Sequence, residues 1–190
     1  MRAIAALAAA LAVLTASGSA LAAGAPAWTV DKAHSKLGFD SAYSGMKFSG
    51  AFNSWSAAIA FDPKNLPASK ATVTIDLASA RTGDNDRDES LPAPDWFNTG
   101  KFPKAVFTTT GITALGGDKY QAAGTINLRG VAKPATLTFT LKITGAQAVM
   151  SGQAVIDRTQ WGVGQGQFAD ETTVPHAVTV KVNITAKKAG

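Results

Sequence analysis

From Trp28 onward the chain steps between polar and apolar residues almost one for one. Thr136-Leu137-Thr138-Phe139-Thr140-Leu141-Lys142-Ile143 alternates at every position, Ala177 to Ile184 does the same, and Ala71 to Leu77 is a third case. Alternation this strict sets one face of a strand against a dry interior and the other in water. Further strands are expected over 36–43, 48–61 (bent or broken near Trp55), 105–113, 119–127 and 148–157, making about eight or nine in all, rich in Thr, Val, Ile and Phe. Ser44-Gly45, Asp62-Pro63, Gly116-Gly117-Asp118 and Thr144-Gly145 supply the turns between them.

One stretch departs from this rhythm. Arg81 to Phe102 is polar, then punctuated by proline, then aromatic. It predicts a short helical insert near 84–98, with a helical turn around 84–91 followed by a loop, and long insertions of this kind are often functional. Successive antiparallel strands that share one apolar face must cover that face. A sandwich and a barrel both do so. One helical insert among about eight strands favours an all-β fold, an antiparallel eight-stranded barrel.

Ahead of the strands, residues 1–22 read as a cleaved export signal: Arg2 gives the positive start, Ala3 to Val13 the apolar run, and Ala20-Leu21-Ala22 the cleavage pattern. The 190 residues less these 22 leave 168, residues 23–190, which suits one domain. Export implies work in the periplasm, where ATP and nicotinamide pools are absent. The signal run is too short to span a bilayer, and no later stretch approaches the ~20 apolar residues that spanning needs. With no cysteine the fold must hold by packing alone. Without Arg2 the 18 basic residues fall to 17 against 13 acidic, a scattered +4 that favours solubility and a weak pull toward anionic surfaces. It forms no basic stripe for nucleic acid.

Six spaced segments resemble one family. Trp28-Thr29-Val30-Asp31-Lys32-Ala33-His34-Ser35 is similar to its opening strand, and Phe48-Ser49-Gly50-Ala51-Phe52 to its next conserved segment. Ile75-Asp76 through Ser79, Thr82-Gly83 and Arg87-Asp88 follows its longest signature. Asp95-Trp96-Phe97 with Lys101-Phe102-Pro103, Gly124 to Pro134, and Asp157-Arg158 with Trp161-Gly162 complete the set in order. Together they resemble the YceI-like family of periplasmic polyisoprenoid-binding proteins. The resemblance implies a lipocalin-like barrel holding a long prenyl chain, such as a quinone tail, in its lumen. It implies a non-enzymatic carrier or reservoir, with no cofactor beyond the bound lipid, and it leaves room for a homodimer. Two departures stand out: Ser90 replaces the histidine usual in the family after the Arg-Asp pair, and the aromatic pair is Trp-Phe in place of Phe-Phe.

The residues give this reading its chemistry. Leu37, Phe39, Val73, Ile75, Phe107, Leu137, Phe139, Leu141, Val180 and Val182 fall on the dry rows and would line a lumen, or else fill an ordinary core. Eight strands enclose a space that side chains just fill or that admits one slim ligand. Trp96, Phe97 and Trp161 sit in irregular segments, at the mouth of such a lumen or as a plug at its end. Arg87, Asp88, Asp157 and Arg158 would form an ionic network tying the helical insert to the barrel, with contact from either arginine to a ligand as the lesser reading. Asp84, Asp86 and Asp88 imitate a calcium loop, but Glu89 occupies the position that needs glycine. His34 is expected to bond backbone at a barrel rim, and no metal set surrounds it or His176. Gly162, Gly164 and Gly166 read as a flexible connection.

Two other classes compete. An outer-membrane barrel also has eight alternating strands and an export signal, but turns its apolar face outward. A hydrolase or isomerase would need a general base near a nucleophile, and no such pair is evident. A barrel open at one end can present its mouth to a membrane surface or a partner subunit.

Overall fold

The computed structural model describes residues 24–190. The expected export signal, 1–22, lies outside them. The strands are β1 (Ala27–Val30), β2 (Lys36–Tyr43), β3 (Met46–Phe52), β4 (Trp55–Ala60), β5 (Lys70–Asp76), β6 (Ala80–Arg81), β7 (Lys104–Gly116), β8 (Lys119–Leu128), β9 (Val131–Thr144), β10 (Gln147–Asp157) and β11 (Ala177–Lys188). One helix, α1 (Asn85–Ser90), interrupts them.

Pairing reduces these segments to eight staves. β1 and β2 both lie along β11, with Trp28 opposite Lys188 and Leu37 opposite Val182, so they are two halves of one stave. β3 pairs with β2 and β4 with β1, which makes β3 and β4 the second stave. β5 pairs with β4 and β6 with β3, the third. β7 to β11 follow in chain order, each antiparallel to the last, and β11 closes on the first stave. The result is an up-and-down barrel, which leaves no open sheet edge.

The breaks in the first and third staves and the end of β10 have a shared local cause. An aspartate ends a strand and caps the tight turn after it. Asp31 accepts from the Ala33 N–H at 3.1 Å, Asp76 from Ala78 at 3.1 Å and Asp157 from Thr159 at 2.9 Å. Each follows a β-branched residue, Val30, Ile75 or Ile156. Asp84 caps α1 in the same way, accepting from the Arg87 N–H at 3.0 Å. The second stave breaks at Asn53-Ser54, whose backbone N–H groups donate to the Ser79 carbonyl and hydroxyl at 3.1 and 3.0 Å.

Apolar rows face in, and polar rows face out. On β9 the outward residues are Thr136, Thr138, Thr140 and Lys142, and on β11 Lys181, Asn183 and Lys187 are exposed. A lipid-facing barrel has the opposite arrangement, so the outer-membrane alternative is set aside. No helix among the described residues is long and apolar enough to cross a membrane.

Most of the buried apolar side chains fall in two clusters, one at each end. Trp28, Phe61, Ala148, Ile184 and Ala186 fill the end where β1 lies. Leu77, Ala80, Phe97, Ala105, Leu128, Trp161 and Val163 pack at the other, beneath the segment after α1. A filled barrel has one contiguous core.

Candidate functional site

Between the two clusters the barrel is hollow. The cavity measures about 640 Å³, within the ~300–1,000 Å³ span of small-molecule sites. Its wall is built by the inward rows of every stave. Leu37, Phe39, Val73, Ile75, Phe107, Leu137, Phe139, Leu141, Val180 and Val182 all stand on it, with Trp96 and Phe97 from the segment after α1. Val73, Ile75, Leu137, Leu141, Val180 and Val182 are only half-buried although they point inward.

The large aromatics leave this space open by lying over glycines. A Cβ added to Gly50 would sit 2.3 Å from Phe39 Cζ, and one on Gly124 would sit 2.4 Å from Phe107 Cε2. Only hydrogen fits at those two places, so each ring rests close against its neighbouring strand.

The ends differ. At the β1 end the Trp28 indole N–H donates to the Phe61 carbonyl at 2.9 Å, and Phe61 packs edge-on to Tyr120, which stacks on Phe139. Lys70 is the one exposed wall residue there, beside Ala60. At the α1 end the exposed wall residues gather in one place: Tyr43 and Met46 at the tip of the β2–β3 hairpin, and Asp86 and Ser90 on α1. This is the mouth. Phe39, Phe52 and Phe97 form a chain of rings 5.3 and 6.1 Å apart, and Trp96 packs on Phe168 at 5.0 Å.

Trp161 takes the plug position. It is 2 % exposed, is not on the cavity wall, and donates its indole N–H to the Ile126 carbonyl at 3.1 Å. The segment 158–176 around it, which holds Gly162, Gly164 and Gly166, is gathered by main-chain carbonyls that bond to one side chain. The organiser is Arg158, 3 % exposed. Its guanidinium donates to the carbonyls of Val163 (2.7 Å), Gly164 (2.9 Å), Phe168 (2.5 Å), Asp170 (3.4 Å), Val174 (2.7 Å) and Pro175 (3.0 Å). Burial pushes this guanidinium below its usual range, while Asp157, Glu171 and Asp170 push it back. It stays charged at neutral pH.

The expected ionic network of Arg87, Asp88, Asp157 and Arg158 does not form. Arg87 pairs with Asp84 at 3.4 Å and lies 4.5 Å over the Phe48 ring. Asp88 accepts from the Thr82 N–H and hydroxyl at 2.6 and 2.7 Å. Burial pushes the Asp88 carboxyl up, but these bonds outweigh it and hold the group below the usual carboxylate range. Asp157 is likewise held low, first by the Thr159 hydroxyl at 2.6 Å, against burial. Turn capping and the backbone clamp take up these side chains before they can meet one another.

His34 also differs from expectation. It stands exposed on the turn between β1 and β2 and bonds the Asp31 side chain at 2.9 Å, off the cavity wall. His176 Nε2 meets the Ala169 carbonyl at 2.9 Å. Among the described residues there is no group of three or more potential metal ligands.

The wall also includes residues not expected from the sequence, among them Trp28, Ser41, Tyr43, Met46, Phe48, Phe52 and Trp55. The signal was present. Ser41 and Tyr43 continue the inward row of Leu37 and Phe39, and the two-residue Ser44-Gly45 loop sets β3 opposite with Phe48 facing Ser41. Both loop residues have positive φ (48° and 81°), the form that suits the twist of a tight hairpin.

An eight-stranded antiparallel barrel with a hollow apolar lumen and one polar-rimmed mouth is a class of small binding protein. The comparison with known proteins narrows it. Residues 28–186 match the YceI-like domain, and the chain belongs to that family. It is 32% identical over 154 residues to a UPF0312 protein of Vibrio vulnificus, covering 80% of this chain and 75% of that one. It is 40% identical over 88 residues to protein YceI of Escherichia coli, 46% of each. BcnA of Burkholderia cenocepacia shares the fold with a TM-score of 0.79 at 32% identity, over 83% of this chain and 99% of that one. A polyisoprenoid binding domain from Saccharophagus degradans, implicated in plant cell wall breakdown, has the same fold at a TM-score of 0.65 and 16% identity, over 86% and 99% of the two chains.

Proposed function

We propose that this protein is a periplasmic, non-enzymatic carrier or reservoir for a polyisoprenoid lipid. The observation that carries the reading is the hollow between two packed ends, walled by aliphatic rows and by phenylalanines laid against glycines. Burying one CH₂ is worth ~0.8 kcal/mol, so a five-carbon isoprene unit is worth roughly 4 kcal/mol before the cost of ordering the chain. A few units suffice for tight binding without a polar contact. The polyisoprenoid binding domain of Saccharophagus degradans, which has this fold, supports the choice of a prenyl chain over other apolar ligands. The apolar run and cleavage pattern of residues 1–22 support export.

A non-enzymatic role is supported by the wall. Its polar members are few, and His34 lies outside the lumen on an exposed turn. The test is to purify the full chain from cells with membranes present, extract it with organic solvent and identify the extract by mass spectrometry. A co-purifying prenyl lipid is expected. Extracts that repeatedly contain nothing apolar would overturn the proposal. Recovery in the soluble fraction after osmotic shock is the matching expectation for location.

A further inference from the structure

We propose that the mouth of the lumen selects lipids with an uncharged head that accepts a hydrogen bond, a carbonyl or a hydroxyl, and rejects the corresponding phosphates. This rests on the prenyl-chain reading and adds the class of head group.

Two observations carry it. The first is Ser41, on the inward row of β2 between Phe39 and Tyr43 and opposite Phe48. Among the described residues its Oγ is the one buried side-chain polar atom with no hydrogen-bond partner. An unsatisfied buried hydroxyl destabilises a folded protein. Serine has a single side-chain torsion with three staggered positions, so its hydroxyl can turn toward an occupant of the lumen and donate to it.

The second is the charge around that hydroxyl. Asp84, Asp86 and Arg87 of the wall face the same mouth. Arg87 is already held by Asp84, by the Thr82 hydroxyl at 3.3 Å and by the Phe48 ring. Asp86 has no ion pair among the described residues, so the wall side chains at the rim carry a net negative charge. Arg158 spends its donors on six backbone carbonyls, and Lys70 stands at the far end of the barrel. A phosphate at the mouth therefore meets carboxylates and no unpaired cation among the wall residues, since Lys47 of the hairpin tip belongs to the outward row, off the wall. A neutral carbonyl or hydroxyl there meets a donor that has no other partner.

The test uses the delipidated full chain and three probes: squalene, which has no head group, geranylgeraniol, and geranylgeranyl phosphate. Trp28, Trp55 and Trp96 stand on the wall, so tryptophan fluorescence reports occupancy. Geranylgeraniol is expected to bind at least tenfold more tightly than its phosphate. Ser41→Ala should weaken geranylgeraniol three- to tenfold, leave squalene within twofold, and raise the melting temperature of the empty protein. Asp86→Asn should narrow the gap between alcohol and phosphate. Equal binding of alcohol and phosphate overturns the inference, and so does a Ser41→Ala variant that weakens squalene as much as the alcohol. If even squalene fails to bind the unaltered protein, the prenyl-chain reading itself falls.

Discussion

The ring of Phe39 occupies the space where Gly50, its partner across the β2–β3 ladder, would carry a side chain. A Cβ on Gly50 would lie 2.3 to 2.8 Å from three atoms of that ring. The pair keeps a large aromatic in the wall and out of the lumen.

Gly50→Ala should therefore swing Phe39 inward and shorten the space available to a ligand. We expect squalene affinity to fall at least tenfold, with a stability cost of ~1–3 kcal/mol from overpacking. Adding Phe39→Leu to that variant should recover most of the binding, because the two residues are in contact and their effects are coupled. Fluorescence titration of the four members of the cycle checks this.

Filling the hollow should separate binding from folding. Leu137 and Val180 are half-buried on the wall, with room in front of them. The double variant Leu137→Phe with Val180→Phe is expected to melt within a few degrees of the parent or above it, since new apolar contacts replace empty space. Its organic extract should contain little or no prenyl lipid. A variant that folds and retains its full load would argue that the ligand lies elsewhere.

Arg158 is a structural requirement. Replacing it with alanine strips six carbonyls of their donor, and hydrogen bonds to charged groups contribute about 1.5–3 kcal/mol each. We expect Arg158→Ala to lose at least ~3 kcal/mol by chemical denaturation and to become cleavable by protease within 159–176. Lysine should rescue only part of this, because three donors on a point charge cannot replace the planar fork.

Acid should loosen the turns that aspartates cap. The carboxyls of Asp88 and Asp157 are held below the ordinary aspartate value of 3.8. A group depressed on folding stabilises the protein above its unfolded value and loses that contribution as pH falls through its folded one. Stability should thus be flat near neutrality, then decline as pH drops below about 3.8. Asp88→Asn should lower stability at pH 7 and flatten part of the acid limb. A variant with an unchanged acid limb would show that the Thr82 contact contributes nothing measurable.

The positions of the staves and their inward rows were legible along the chain, because alternation is a local property with a period of two. The kink near Trp55 and the helical turn after Asp84 were legible for the same reason. The Phe39–Gly50 pairing was within reach too, once the two-residue Ser44-Gly45 loop set the register. The breaks at Lys32–His34 and Leu77–Ser79 were not, although each follows a β-branched residue and a capping aspartate.

Charge pairs were the features least legible in the sequence. Arg87 and Asp88, or Asp157 and Arg158, look like partners in a line of letters. In space their neighbours are Asp84, Thr82, Thr159 and six main-chain carbonyls. Every residue carries the same carbonyl, so a clamp built from them leaves no trace in side-chain identity.

Sequence by itself therefore determined a set of alternating strands, their inward faces and the family that they resemble. Tertiary structure alone decided that the interior is hollow, that Trp161 plugs while Trp96 stands on the wall, and that Ser41 lacks a partner. Those outcomes depend on how the summed volume of inward side chains compares with the space that barrel closure encloses. That comparison joins residues far apart in the chain, and no local pattern contains it.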